Sequence, residues 1–144
     1  MRFLKVLLAG AVMLTAVFAL GVPSAYAVGC YAETCYNKGP VAMGCTADQR
    51  VISQPASSGL EVRYSPACNA AWAWDNQAPH FWPIYLTIER ARSDKIVQAR
   101  LSIEFDVGEP TEWTNMFARG WYFRAVWDDR VSDENDAMTA WVFR

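Results

Sequence analysis

The sequence is poor in the residues that most catalysis and nucleic-acid binding draw on. Its 144 residues include one histidine, His80, no Gly-x-Ser-x-Gly box and no cluster of lysine and arginine. A Ser-His-Asp hydrolase would have to use His80, with Ser65 or Ser102 as nucleophile and Asp75 as orienter, and no recognisable motif joins them. Pro79 and Phe81-Trp82 flank the histidine and make it a loop residue entering a strand. Basic residues gather only between Arg90 and Arg100, spread along an expected strand. Phosphate-backbone binding needs such charges clustered, so the sequence argues against nucleic acid as a partner. Internal repeats and low-complexity tracts are also missing, and no cofactor or metal is implied.

Long apolar runs are scarce too, with one informative exception. Arg2 and Lys5 precede an apolar run from Val6 to about Val22, which closes on Ala25-Tyr26-Ala27. A basic start, a short apolar stretch and a small-x-small triplet form the layout of a secretory signal cleaved after Ala27. The run is shorter than the roughly 20 residues of a spanning helix, and no stop-transfer pattern follows it. Stable membrane insertion after cleavage is therefore not expected. Ala27-Val28-Gly29-Cys30 is a poor lipoprotein box, and lipidating Cys30 would leave an odd number of cysteines. The reading is a signal peptide over 1–27 and one secreted β domain over 28–144, acting outside the cytoplasm. That domain divides into a lobe over 28–58 and a β body over 59–144. Without Arg2 and Lys5, 11 basic residues face 15 acidic ones, a net charge near −4.

The four cysteines (Cys30, Cys35, Cys45, Cys68) all fall early in the exported part. An even count in a small exported domain predicts two disulfides. The spacings C-x4-C, x9 and x22 lack the paired C-x2-C knuckles of structural zinc, and no histidine is near. Three pairings are possible and spacing does not choose among them. We favour Cys30–Cys35 closing a local loop and Cys45–Cys68 tying the lobe to the body. Each link is expected to stabilise by about 2–4 kcal/mol.

Residues 28 to 58 are rich in Gly, Pro, Cys, Asn and Ser with little periodicity, a cross-linked and loop-rich lobe. Period-2 alternation begins with Leu60, Val62 and Tyr64 against Glu61 and Arg63, and Ser65-Pro66 breaks it. Trp72 and Trp74 share a face of the next short strand. Trp82, Ile84, Leu86 and Ile88 then alternate with Tyr85, Thr87 and Glu89. Val97, Ala99, Leu101, Ile103 and Phe105 alternate with Gln98, Arg100, Ser102 and Glu104. Ala91-Arg92-Ser93-Asp94 makes these two a hairpin. Further strands are expected over Gly120–Trp127 and Thr139–Phe143. Pro110-Thr111-Glu112 ahead of Trp113 and Phe117 predicts one short helix, with Thr111 as N-cap. The predicted fold is mostly β, a small antiparallel sandwich or barrel with a disulfide-stapled, loop-rich N-terminal lobe and that short helix.

Cys30-x4-Cys35, Gly39-Pro40, Gly44-Cys45 and Ala47-Asp48, followed by the run Leu60 to Ala73 (LEVRYSPACNAAWA), resemble the bacterial domain-of-unknown-function family 2690. The likeness covers about residues 30–73, and its most specific part runs from Arg63 to Trp72. It departs from the family at Trp74, where a basic residue is usual, and from Glu109 onward. The resemblance implies an exported four-cysteine module without a defined activity. The shared motif makes sense as a staple, with Cys68 bonded back to the lobe, Trp72 packed over the bridge, and Arg63 and Glu61 facing outward. The functional alternative places Arg63, Tyr64 and Trp72 on a binding surface.

Other residues offer chemistry. Glu104 and Asp106 share a strand face about 7 Å apart, a spacing at which glycosidases use paired carboxylates, although outward strand faces carry such residues for solvation. Asp128-Asp129 and Asp133-Glu134-Asn135-Asp136 supply oxygen ligands without an EF-hand spacing, and a solvated loop accounts for them. Seven tryptophans remain the largest excess. Trp82 and Trp121 join Trp72 as candidates for a platform that meets sugar rings or a protein partner. The leading expectation is a non-enzymatic module binding an extracellular or envelope ligand, glycan or protein. A glycan hydrolase using Glu104 and Asp106, and a secreted inhibitor or toxin-like protein, are the alternatives.

Overall fold

Alternation along the chain sets the architecture. A computed structural model describes residues 27–56, 58–76, 83–108, 112–128 and 137–144. The expected signal segment before Ala27 lies outside the described residues, as do His80, Trp82, Thr111 and the acidic stretch 129–136.

Among the described residues, nine strands form two antiparallel sheets. The first holds β1 (Arg50–Ser53), β2 (Leu60–Ser65), β3 (Ala70–Asp75) and β6 (Phe117–Ala118), in the order β1-β2-β3-β6. The second holds β4 (Ile84–Ala91), β5 (Val97–Phe105), β7 (Tyr122–Asp128) and β8 (Ala137–Met138), in the order β5-β4-β7-β8. The last strand, β9 (Val142–Phe143), also pairs with β7. The sheets pack face to face without closing into a barrel.

Residues two apart share a face, so each strand supplies one row to the space between the sheets. Leu60 and Val62 of β2, Ala71 and Ala73 of β3, and Phe117 of β6 meet Ile84, Leu86, Ile88, Phe105, Phe123 and Ala125 in one buried cluster. Phe117 and Phe123 stack across the two sheets with centroids 6.5 Å apart. Each large side chain removed from water here stabilises by roughly 1.5–3 kcal/mol.

The outer face of the first sheet carries a further layer. The lobe before β1 winds through two single-turn 3-10 helices, Ala32–Cys35 and Cys45–Asp48. The bonds Cys30–Cys35 and Cys45–Cys68 hold it, and the four sulfurs lie within 4.8 Å of one another. This sulfur cluster packs with Ala70, Trp72 and Met116 on the face of β3 that points away from the inter-sheet core. Strand β1 falls inside the segment read from sequence as lobe, so regular structure begins at Arg50 rather than Leu60.

The β2–β3 turn explains the motif around Cys68. Asn69 adopts a left-handed conformation (φ 55°), which asparagine tolerates better than most residues, and its N–H donates to the Ser65 carbonyl at 2.8 Å. The Asp48 carboxylate accepts from the Ser65 hydroxyl at 2.5 Å and the Ala67 N–H at 2.7 Å. Cys68 is thereby held where Cys45 can reach it. The β4–β5 hairpin forms as expected, with its loop displaced to Arg92–Ile96 and Lys95 left-handed (φ 63°).

One expectation fails: there is no helix over the described residues from Glu112 to Gly120. Trp113 instead bridges Trp74, the Thr114 N–H donates to the Ala73 carbonyl at 3.0 Å, and the Ala73 N–H donates to the Thr114 hydroxyl at 3.0 Å. The free edge of β3 offers this segment more backbone partners than one isolated helical turn could, and tertiary pairing overrides local preference. Of the expected final strand Thr139–Phe143 only Val142–Phe143 pairs, as β9, and β8 lies just before it at Ala137–Met138. Between them the Thr139 hydroxyl accepts the Ala125 N–H at 3.0 Å, in place of a backbone carbonyl.

No helix among the described residues is long and apolar enough to cross a membrane. Two disulfides with no free cysteine suit an oxidising, extracytoplasmic environment.

Candidate ligand-binding groove

The outer face of the first sheet gathers aromatic and charged side chains. On β2 this face carries Glu61, Arg63 and Ser65, and on β3 it carries Ala70, Trp72 and Trp74. Arg63 stands opposite Trp72 and Glu61 opposite Trp74 in the antiparallel register. Non-sequential strands supply the rest, because the Trp113 bridge to Trp74 sets a third indole beside the first two.

Together with Val41, Thr46 and Gln49 of the lobe, these residues line an open groove of about 210 Å³. Trp72 is only 1% exposed and forms its floor, packed against the disulfides. Trp74 and Trp113 are half-buried walls. The Arg63 guanidinium lies over the Trp74 ring, and its Nε donates to the Glu61 carboxylate at 2.7 Å. Glu61 also accepts from the Asn76 amide at 3.4 Å. Arg63 thus enters the groove neutralised, offering N–H donors and a flat surface rather than unbalanced charge. The Trp74 Nε1–H is buried with no acceptor among the described residues.

The structure brings Arg63 and Trp72 together and separates Tyr64 and Trp121 from them. Tyr64 points to the opposite face of β2, where it packs against the inter-sheet core and its hydroxyl donates to the Asn69 side chain at 2.6 Å. Trp121 belongs to a different cluster, in which Arg90 sits 4.6 Å from its ring centroid and 4.8 Å from that of Phe117. Trp82 lies outside the described residues. Trp113, Thr46 and Gln49 escaped the sequence reading. Trp74 carried a signal, being two residues from Trp72 on the same strand face. Trp113 carries none, because Pro110-Thr111-Glu112 predicts a helix for its segment.

The serine and aspartate candidates for a hydrolase do not come together among the described residues. Ser65 is fully buried and locked between Asp48 and the Cys68 N–H, which it accepts at 3.0 Å. Ser65 and Asp75 occupy opposite ends of the β2–β3 hairpin, roughly 17 Å apart at strand rise. Ser102 belongs to the other sheet and bonds Thr87 at 2.7 Å. Glu104, opposite Tyr85, and Asp106 are both exposed near the end of β5, outside the groove. All four cysteine sulfurs are consumed in disulfides, leaving no thiol nucleophile.

Further hollows lie among the described residues. One of about 130 Å³ lies between the sheet ends, lined by Ser58, Gly59, Leu60, Asp75, Trp127 and Ala137. Another of about 320 Å³ lies on the outer face of the second sheet, lined by Thr87, Glu89, Arg100, Val126 and Asp128. There Glu89, itself 3% exposed, accepts from Arg100 at 2.5 Å and from Arg124 at 2.6 Å.

No family model matches the chain, and neither does any curated protein or solved structure.

Proposed function

We propose that this chain is an exported, non-enzymatic binding module that takes one ring of a glycan into the tryptophan groove, at or beyond the cell envelope. The observation that carries the reading is the convergence of Trp72, Trp74 and Trp113 with Arg63 on a cross-linked scaffold. The volume is below the 300–1,000 Å³ of sites that enclose drug-sized ligands, so it suits a single ring. Indole walls favour the apolar C–H face of a sugar, and Thr46, Gln49 and Arg63 supply hydrogen bonds for its hydroxyls.

Neutral polar ligands are favoured over anionic ones because Glu61 already balances Arg63. The orphaned Trp74 Nε1–H points the same way, since a ligand oxygen that reached it would relieve a penalty of about 1–3 kcal/mol. Rigidity helps as well: a site held by two disulfides loses little conformational freedom on binding. The signal segment and the resemblance to family 2690 support the compartment.

The test is sedimentation of the purified protein with insoluble cell-wall polysaccharide. Wild type and Asp106→Asn should pellet alike, while Trp113→Ala should lose binding by about tenfold or more. Release of reducing sugar that disappears in Glu104→Gln would replace the module with the hydrolase. Binding that survives Trp113→Ala would move the ligand elsewhere.

A further inference from the structure

Strand β5 is an edge strand that carries charged side chains, Arg100 and Glu104, but neither proline nor a mid-strand bulge. No strand among the described residues pairs with its far side, and it runs for 9 residues. Edge strands are normally blunted by proline, a mid-strand bulge or an inward-pointing charge, because their open backbone groups template pairing with another chain. Residues 97 to 105 contain no proline. The only irregularity in the β4–β5 ladder lies at its hairpin end, between Arg90 and Ala91. The inward row of Ala99, Leu101 and Ile103 is apolar and only half-buried, although each packs against the core. Ile96 and Val107, just beyond the two ends, are 62% and 58% exposed.

The outer face says what belongs beside this edge. Arg124 of β7, Glu89 of β4 and Arg100 of β5 form one cross-strand row, joined by ion pairs at 2.6 and 2.5 Å. The charges run positive, negative, positive, and the row stops at the edge on an Arg100 side chain that is 62% exposed. A carboxylate on the next strand would continue the alternation.

We propose that the next strand is β5 of a second copy of this chain, added antiparallel about a two-fold axis at Ser102. In that register Arg100 lies opposite Glu104 of the partner subunit, and the same pair recurs on the other side of the axis. On the inner face Leu101 meets the partner's Ile103, and Ala99 meets the partner's Phe105. A shift of the axis to Leu101 sets Arg100 against the partner's Ser102 and loses both ion pairs. The charge pattern therefore selects one register, and the two second sheets merge into one continuous sheet. The tryptophan groove lies on the other sheet of each copy, so the dimer presents two of them.

Sedimentation equilibrium on the full chain tests this. Wild type should be a dimer at micromolar concentrations. Glu104→Arg sets two like-charge pairs across the axis and should raise the dimer dissociation constant by about tenfold or more. Glu33→Arg, the same charge change on the exposed lobe, should leave it unaltered. Because Glu104 is exposed, far-UV circular dichroism should show Glu104→Arg folded. As an independent readout of register, Ser102→Cys should give a disulfide-linked dimer on oxidation, and Gln98→Cys should not. A wild-type monomer, a dimer indifferent to Glu104→Arg, or cross-linking through residue 98 in place of 102 would each overturn the proposal.

Discussion

Removing the two disulfides separately should have unequal effects, and the order follows from the chain. Cys45–Cys68 spans a sequence separation of 23 residues and Cys30–Cys35 one of 5. With loop-closure entropy rising as the logarithm of loop length, opening the long loop costs about 3.4 kcal/mol and opening the short one about 2.1 kcal/mol. Both bonds are buried in the same cluster with Trp72 and Met116, so alanine replacement removes similar sulfur packing in each case. That shared loss leaves the difference of roughly 1.3 kcal/mol standing. The long link also joins the lobe to the β2–β3 turn, whereas the short one closes within the lobe. The assay is urea unfolding of Cys45→Ala/Cys68→Ala beside Cys30→Ala/Cys35→Ala, followed by tryptophan fluorescence. The first should have the lower midpoint, and in thermal melts it should lie about 4–8 °C below the second. Equal midpoints, or a lower one for Cys30→Ala/Cys35→Ala, would refute the view that the lobe is clamped through Cys68.

Other consequences are local. Asp48→Ala removes the carboxylate that accepts from Ser65 and Ala67, and thermal unfolding should show a loss of about 1.5–3 kcal/mol. Asn69→Gly should retain more stability than Asn69→Ala, since glycine accepts the left-handed backbone freely and alanine does not; a reversed order in urea midpoints would contradict the turn. Trp72→Ala should cost about 3–5 kcal/mol, because it hollows the floor beneath the groove, so loss of binding there has to be read beside a stability measurement. Glu89→Leu should destabilise through the two arginines it leaves unpaired, and more at low than at high salt.

Much of the fold was legible because its strands are half-buried. Leu60–Tyr64, Ile84–Ile88 and Val97–Phe105 each alternate, and in each the apolar row is the one turned inward. The turn at Pro66 and the hairpin after Ala91 were marked by their own residues. What failed was structure decided by distant partners. Residues 112–118 carry helix-like punctuation, yet they bond to Ala73 and, through Met116, to Asn37 and Lys38. No local pattern announces an edge that accepts them.

The groove was half legible for the same reason. Arg63 and Trp72 stand in one antiparallel register, and period 2 puts Trp74 beside them. The third wall arrives from 39 positions further along the chain, and the rim comes from an irregular lobe. Tyr64 and Trp121 were drawn in because aromatic residues are enriched in strands whether or not they face a ligand.

The groove can be tested most directly by following the indole N–H resonances of the seven tryptophans during titration with a soluble glycan fragment. The Trp74 and Trp113 signals should shift together and saturate with one ligand per chain, while those of Trp121 and Trp141 stay in place. Saturable shifts at Trp121 or Trp141, with Trp74 and Trp113 unmoved, would contradict it.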